Sequence, residues 1–240
     1  MRTNRPALFK GRHFESEIII LCVRWYLRFS LSYRDLKEIM AERNLAVDHV
    51  TIWRWVQRYA PELSKRCRGE LRRTNGSWRV DETYLRVAGK WAYLYRAVDS
   101  EGSTIDFFLS PNRDAHAAKQ FLQKALWAPG HPRPRVINVD GNHSYPKVIS
   151  ALKQTGDLGR RCWCRPVPYL NNILEQDHRS IKRRVRASQG FRSFDGAWRT
   201  IQGIETVHMI RKGQVRWLPK GAIAEQLQFV AALFAIPTAA

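Results

Sequence analysis

Three acidic residues stand far apart in the chain, each where regular structure would hold a side chain in place: Asp81, Asp140 and Glu175. Asp81 sits in the middle of Trp78 to Val87, a stretch rich in aromatic and β-branched residues. Asp140 ends the short apolar run that starts at Val136, immediately before Gly141. Glu175 opens the charged part of YLNNILEQDHRSIKRRVR, Tyr169 to Arg186. Carboxylates gathered at one point repel one another, and hard divalent cations bound through oxygen relieve that repulsion. Two such ions activate a water or a sugar hydroxyl on one side of a phosphate and stabilise the leaving oxygen on the other. Each acid also has an ordinary alternative. Asp81 is followed by Glu82, and adjacent strand residues point to opposite faces, so only one of the two can aim at such a site. Asp140 reads equally as a strand-end turn residue, and Glu175 as the return half of a capping box begun by Asn172.

The elements that would position these acids are legible in the periodicity. A helix from Asn172 places Glu175, Arg179, Lys182 and Arg186 on one face, with Arg183 beside them, so a carboxylate heads a basic stripe suited to a polyanion. Upstream, Trp78 to Val87, Trp91 to Val98 and Thr104 to Leu109 alternate with period two and are joined by turns at Ala88-Gly89 and Ser100 to Ser103. They predict an antiparallel meander. A helix from Asp114 to Leu126, an internal parallel strand at 136–139, a helix from Pro146 to Gln154 and a short strand around Trp163 to Val167 come next. The order βββ-α-β-α-β-α is a mixed α/β sheet with helices on its faces. If the first and fourth strands are neighbours and the last helix packs across them, the three acids meet.

The N-terminal third reads as three helices: Glu15 to Phe29, a second opened by a Ser32/Asp35 capping box and ending near Asn44, and Val50 to Tyr59, stopped by Pro61. The third buries Ile52, Trp55, Val56 and Tyr59 and gathers Thr51, Arg54 and Arg58 on the opposite face. Those are types that reach base edges and phosphates, in a helix-turn-helix pattern. A plain three-helix bundle with a solvated basic face is the other reading. The expected division is a DNA-binding domain at 1–62, a basic linker at 63–76, a sheet domain at 77–190 and a helical extension at 191–240. In the extension, Ala222 to Phe234 would use Ile223, Leu227, Val230 and Phe234 to close the core or to meet a second subunit.

Composition narrows the partners. Lys and Arg number 41 against 21 Asp and Glu, a formal charge of +20 over 240 residues, which implies a polyanionic partner, nucleic acid before an anionic membrane surface. Among the four cysteines only Cys162 and Cys164 are close, which supports neither a zinc finger nor a disulfide framework and suits a reducing cytosol. The apolar runs Ile18 to Val23 and Phe229 to Ile236 fall far short of the ~20 residues that span a bilayer. A soluble, intracellular protein without a membrane or nucleotide cofactor is expected, since no Gly-rich nucleotide loop is present.

The stretches WRVDETY (78–84), KWAYLYRAVDS (90–100), RVINVDGN (135–142) and YLNNILEQDHRSIKRR (169–184) resemble the small bacterial insertion-sequence transposases of the IS-six family. The 58 residues between Asp81 and Asp140 and the 34 between Asp140 and Glu175 agree with it. The segments at 11–44, 47–62 and 201–214 also look like that family. The resemblance implies a ribonuclease-H-like catalytic domain in which Asp81, Asp140 and Glu175 hold two Mg2+ or Mn2+ ions. It further implies cleavage at the element's ends, attack of the freed 3′ hydroxyl on target DNA, and cointegrate products. The implied partners are double-stranded DNA, with terminal inverted repeats read by the helix-turn-helix, and further copies of the chain, at least a dimer. A cytoplasmic, nucleoid-associated protein is the matching location. After Asp140 the run VDGNHSY departs from the VDKNPAY expected by resemblance, so Gly141 removes a lysine and His143 replaces a proline. A nuclease on the same fold and a transposase-derived repressor are the alternatives.

Overall fold

A computed structural model describes residues 6–140, 144–167, 171–187 and 190–237. Tyr169, Gly141 and His143, singled out in the sequence, lie outside the described residues. The chain forms two compact units, one running from Arg72 to Lys182 and the other combining the chain up to Leu71 with the chain from Arg183 onward.

The sheet unit has strands β1 (Ser77–Val87), β2 (Lys90–Asp99), β3 (Thr104–Ser110), β4 (Val136–Val139) and β5 (Trp163–Pro166) in the order β3-β2-β1-β4-β5. The first three pair antiparallel, and β4 joins β1 and β5 in parallel. This is the expected mixed sheet, with β1 at its centre. Ala88 and Gly89 both have positive φ, 49° and 77°, the paired left-handed turn whose twist matches that of the strands it joins. One face of the sheet packs Trp78, Val80 and Tyr95 against Phe121 of α4 (Ala115–Trp127) and Tyr145 of α5 (Ser144–Gln154). Asp114 caps α4 by accepting the Ala117 N–H. The Asn75-Gly76 turn belongs to this unit. The Asn75 N–H donates to Asp99, and the Gly76 carbonyl accepts from Arg135 and Val136, which ties the start of β1 to β4.

Helix α6 (Asn172–Ala187) turns Leu174, Ile181 and Val185 inward and leaves Glu175, Arg179, Arg183 and Arg186 exposed. The capping box expected at Asn172 does not form, because Asn172 is already the first helical residue. Its neighbour Asn171 instead donates its amide to the Val80 carbonyl at 3.2 Å.

The helical unit contains α1 (Ser16–Arg28), α2 (Tyr33–Ala41), α3 (His49–Cys67), α7 (Phe194–Arg211) and α8 (Ile223–Leu233). The Ser32/Asp35 capping box is formed in both directions, with N–H to oxygen distances of 3.1 and 2.7 Å. Pro61 does not stop α3, which continues to Cys67. An internal proline costs about 3 kcal/mol, and burying one leucine-sized side chain returns about 1.5–3. Leu63 and Cys67, 1% and 0% exposed, both lie beyond Pro61, so the buried face outweighs the missing N–H.

Residues 63–71 are therefore not a free linker. They finish α3 and make a 3-10 turn (Arg68–Glu70), and Leu71 bridges to Val215. The C-terminal helices are likewise part of this unit. On α8 only half of the expected apolar face is buried: Val230 and Phe234 are covered, while Ile223 and Leu227 stay 53% and 38% exposed. Phe234 sits 6.0 Å from Phe9 and 6.1 Å from Tyr59, ring to ring. No helix among the described residues is long and apolar enough to cross a membrane.

Gly203 marks the tightest approach in this unit. A Cβ there would lie 2.6 Å from the Ala60 Cβ and 2.7 and 2.8 Å from the two Leu27 methyls. Alanine gains about 1 kcal/mol of helix propensity over glycine, and overpacking a core costs about 1–3 kcal/mol. Gly203→Ala is expected to lower stability on balance, by about 1–2 kcal/mol, read as a lower urea midpoint with an unchanged slope.

Candidate active site

The parallel register that pairs Val80 with Val139 fixes the next residue on each strand. On β1 that residue is Asp81, and on β4 it is Asp140, where the strand ends. The two acids thus come side by side at the carboxyl edge of β4, where open α/β sheets form their crevices. Carboxylate oxygens of Asp81, Glu82 and Asp140 all lie within 4.8 Å of one another.

Glu82 was not expected there. Asp81 pairs across the ladder with Arg96 and Glu82 with Tyr95, so the two side chains do leave on opposite faces. They meet because Asp81 accepts the N–H of Glu82 at 2.8 Å, which turns its carboxylate toward its neighbour. The Glu82 side chain, 2% exposed, accepts from the Tyr145 hydroxyl at 2.6 Å and from Arg113 Nε at 2.7 Å.

Burial, then the charge of Asp140, push the Asp81 carboxyl up to about 7; Glu82 and Glu175 add to the rise and the Glu82 N–H opposes it. Glu175 is thus near enough to be felt by Asp81. It lies in the first turn of α6 and is exposed, and among the described residues it is not part of the 4.8 Å group. The structure brings two of the three sequence-predicted acids together and leaves the third at the margin.

What fixes α6 on the sheet is a buried ion pair that the sequence did not announce. Arg96 on β2, fully buried, reaches Asp177 on α6 at 3.1 Å. A charged residue inside the apolar run of β2 was the available signal, since arginine is almost never fully buried without a partner. One turn on from Glu175, His178 Nδ1 stands 3.8 Å from Asp81 Oδ2, with both side chains largely covered. That distance would suit an ion pair with a protonated ring, but burial, Arg96 and Lys182 push the imidazole down to about 3, and it is neutral. Its Nε2 is buried and makes no hydrogen bond among the described residues. Lys182 places its ammonium 4.1 Å from the centre of the Tyr84 ring on β1.

In the helical unit, Ile52, Trp55, Val56 and Tyr59 are buried as expected. Arg54 and Arg58 are exposed on α3 and Thr51 is half-buried. The two arginines do not stand on an open helix face. With Trp53 they wall a groove of about 580 Å³ whose other side is Asp195, Trp198 and Arg199 of α7.

The donor set is oxygen only, which suits a hard divalent cation rather than a soft metal. Residues 75–214 match the family described as a DDE domain. The transposase for insertion sequence-like element IS431mec of Staphylococcus aureus is 40% identical over 212 residues, 88% of this chain and 91% of that one. The transposase for insertion sequence element IS257 in transposon Tn4003, also from Staphylococcus aureus, is 39% identical over the same shares. Among solved structures, the catalytic core domain of BIV integrase aligns with 65% of this chain and 97% of its own, at 15% identity and a TM-score of 0.44. The family match and the length of the shared sequence make the chain a member of the IS-six family of DDE transposases, and so a metal-dependent DNA transposase.

Proposed function

We propose that this transposase cuts the ends of its insertion sequence and joins the freed 3′ hydroxyls to target DNA, with cointegrates as products, at the site of Asp81, Asp140 and Glu175. The observation that carries the reading is the crowding of Asp81 and Asp140 with Glu82, a concentration of charge that only a proton or a cation relieves. Asp81 and Asp140 would hold the metal, with Glu175 closing on it from α6. When bound, two Mg2+ or Mn2+ ions supply activation of the attacking oxygen and stabilisation of the leaving one.

The chain's own residues do the positioning. The sheet ladder holds Asp81 and Asp140 in register, and the Arg96–Asp177 pair holds α6. Neutral His178 covers Asp81 without cancelling its charge. Arg179, Lys182, Arg183 and Arg186 take the DNA backbone, and Thr51, Arg54 and Arg58 read the terminal inverted repeats. The +20 charge supports a long polyanion as the partner. Two element ends must be held at once, which calls for at least a dimer.

Asp81→Asn, Asp140→Asn and Glu175→Gln are each expected to reduce cleavage and strand transfer by a factor on the order of 1000 or more, the loss of several kcal/mol of charge stabilisation. The assay is joining of pre-cut ends with Mg2+. Cleavage by the unaltered protein without any joined product would point to a nuclease instead. Arg54→Ala and Arg58→Ala are expected to weaken binding to the element's ends and to flatten its salt dependence, by about one unit of slope for each phosphate no longer neutralised.

Asp81 also sets a pH dependence. Its folded value is raised from 3.8 to about 7, so in metal-free protein its contribution favours the fold below about 4 and is lost as pH rises through about 7. In a chelator, Asp81→Asn should therefore raise the melting temperature at pH 8 and do so progressively less as pH falls toward 4. Added Mg2+ should stabilise the unaltered protein most at the higher pH, where no proton competes for the site.

A further inference from the structure

Arg113 touches the acid cluster at Glu82, and its geometry is unusual for a surface ion pair. It donates through Nε alone, to Glu82 at 2.7 Å, and makes no other hydrogen bond among the described residues. Its side chain is 53% exposed. The forked end of the guanidinium, which matches two oxygens of a carboxylate or phosphate, is thus left facing outward.

The segment that carries it is held at several points. β3 ends at Ser110, whose hydroxyl accepts the Asn112 N–H at 3.1 Å. The Asn112 carbonyl accepts from the Tyr95 hydroxyl at 3.3 Å, and Asp114 caps α4. Arg113 is fixed between these points rather than carried on a free loop.

Glu82 makes little sense as a purely stabilising residue. It is a covered carboxylate set beside two others, where like charges about 4 Å apart repel by about 4 kcal/mol at an effective dielectric of about 20. An exposed ion pair is worth at most about 1 kcal/mol in return. As a holder for Arg113 it has a use. Tyr145, whose hydroxyl proton is held by burial and by the charge of Glu82, donates to one Glu82 oxygen and leaves the other for the guanidinium. Glu82, and Asp140 beyond it, in turn stabilise the charge on Arg113. From Asp140 to Pro146 the sequence carries no Lys or Arg.

We propose that Arg113 grips a non-bridging phosphate oxygen of the DNA strand being cut or joined, and that Glu82 and Tyr145 are positioning residues for that grip. This rests on the acid cluster being the transposition centre. It adds a phosphate-binding group on the Glu82 side of β1, where the acids alone would repel the substrate.

The test uses the full-length protein, Mg2+ and duplex oligonucleotides spanning the element's own end, each with a single neutral methylphosphonate linkage near the cut. Arg113→Ala should slow cleavage and joining about a hundredfold on unmodified DNA, with Arg113→Lys recovering part of the loss. At one linkage the neutral phosphonate should slow the unaltered protein and have no further effect on Arg113→Ala. Glu82→Gln should slow the reaction, yet add little in the Arg113→Ala background. Arg113→Ala within about twofold of the unaltered protein would overturn the proposal. So would a deficit of the same size at every phosphonate position, or multiplying losses for Glu82→Gln together with a raised Mg2+ requirement, which would make Glu82 a metal ligand. Asp81→Asn separates the two levels: if it still cuts, the centre itself is misassigned, whereas if it is dead and Arg113→Ala is not, only the Arg113 assignment falls.

Discussion

The molecule is built around a repulsion it does not remove. Three carboxylates share a volume a few ångströms across, and each close pair opposes folding by several kcal/mol. A domain holds only about 5–15 kcal/mol of net stability, so such a cluster persists only where the surroundings leave it no escape. Here the constraint is the ladder itself. Asp81 and Asp140 come directly after the paired Val80 and Val139, so the ladder sets their backbones side by side. Burial first, and then the charge of Asp140, push the Asp81 carboxyl up to about 7.

Around that point the charges are sorted by role. Arg96 pairs with Asp177 of α6 on the side of the sheet that Asp81 also faces. Glu82 takes Arg113. His178 is kept uncharged. The three carboxylates thus stand together in a chain whose overall charge is +20, a field that draws a polyanion in.

The elements were legible where sequence pattern and turn chemistry agree: burial alternates along β1 and follows a period of about 3.6 in α4, while β2, β3 and the second half of α7 are covered on nearly all sides and were read from their residue types and flanking turns. Asp81 and Asp140 were legible for the same reason, since their places at mid-strand and strand end are local facts. What failed was non-local or depended on one torsion. Strand alternation argued that Glu82 must turn away from Asp81, and it does, but a backbone N–H bends the Asp81 carboxylate back toward it. Pro61 signalled a stop, and the buried Leu63 and Cys67 beyond it overrode the signal. Composition marked 63–76 as a linker, whereas half of it is helix or bridges to Val215, a partner far down the chain.

That last pairing bears on how the protein comes into being. Leu27, Ala60 and Leu71 are made before the sheet unit, but the residues that pack on them, Gly203 and Val215, are made after it. The sheet unit is contiguous and has all its strands as soon as it leaves the exit tunnel. The helical unit must wait with its apolar side uncovered until the residues beyond Arg183 arrive. The segment before Leu71 thus becomes native only after the sheet unit has been made, which ties any use of its basic helix to synthesis of the residues that follow that unit.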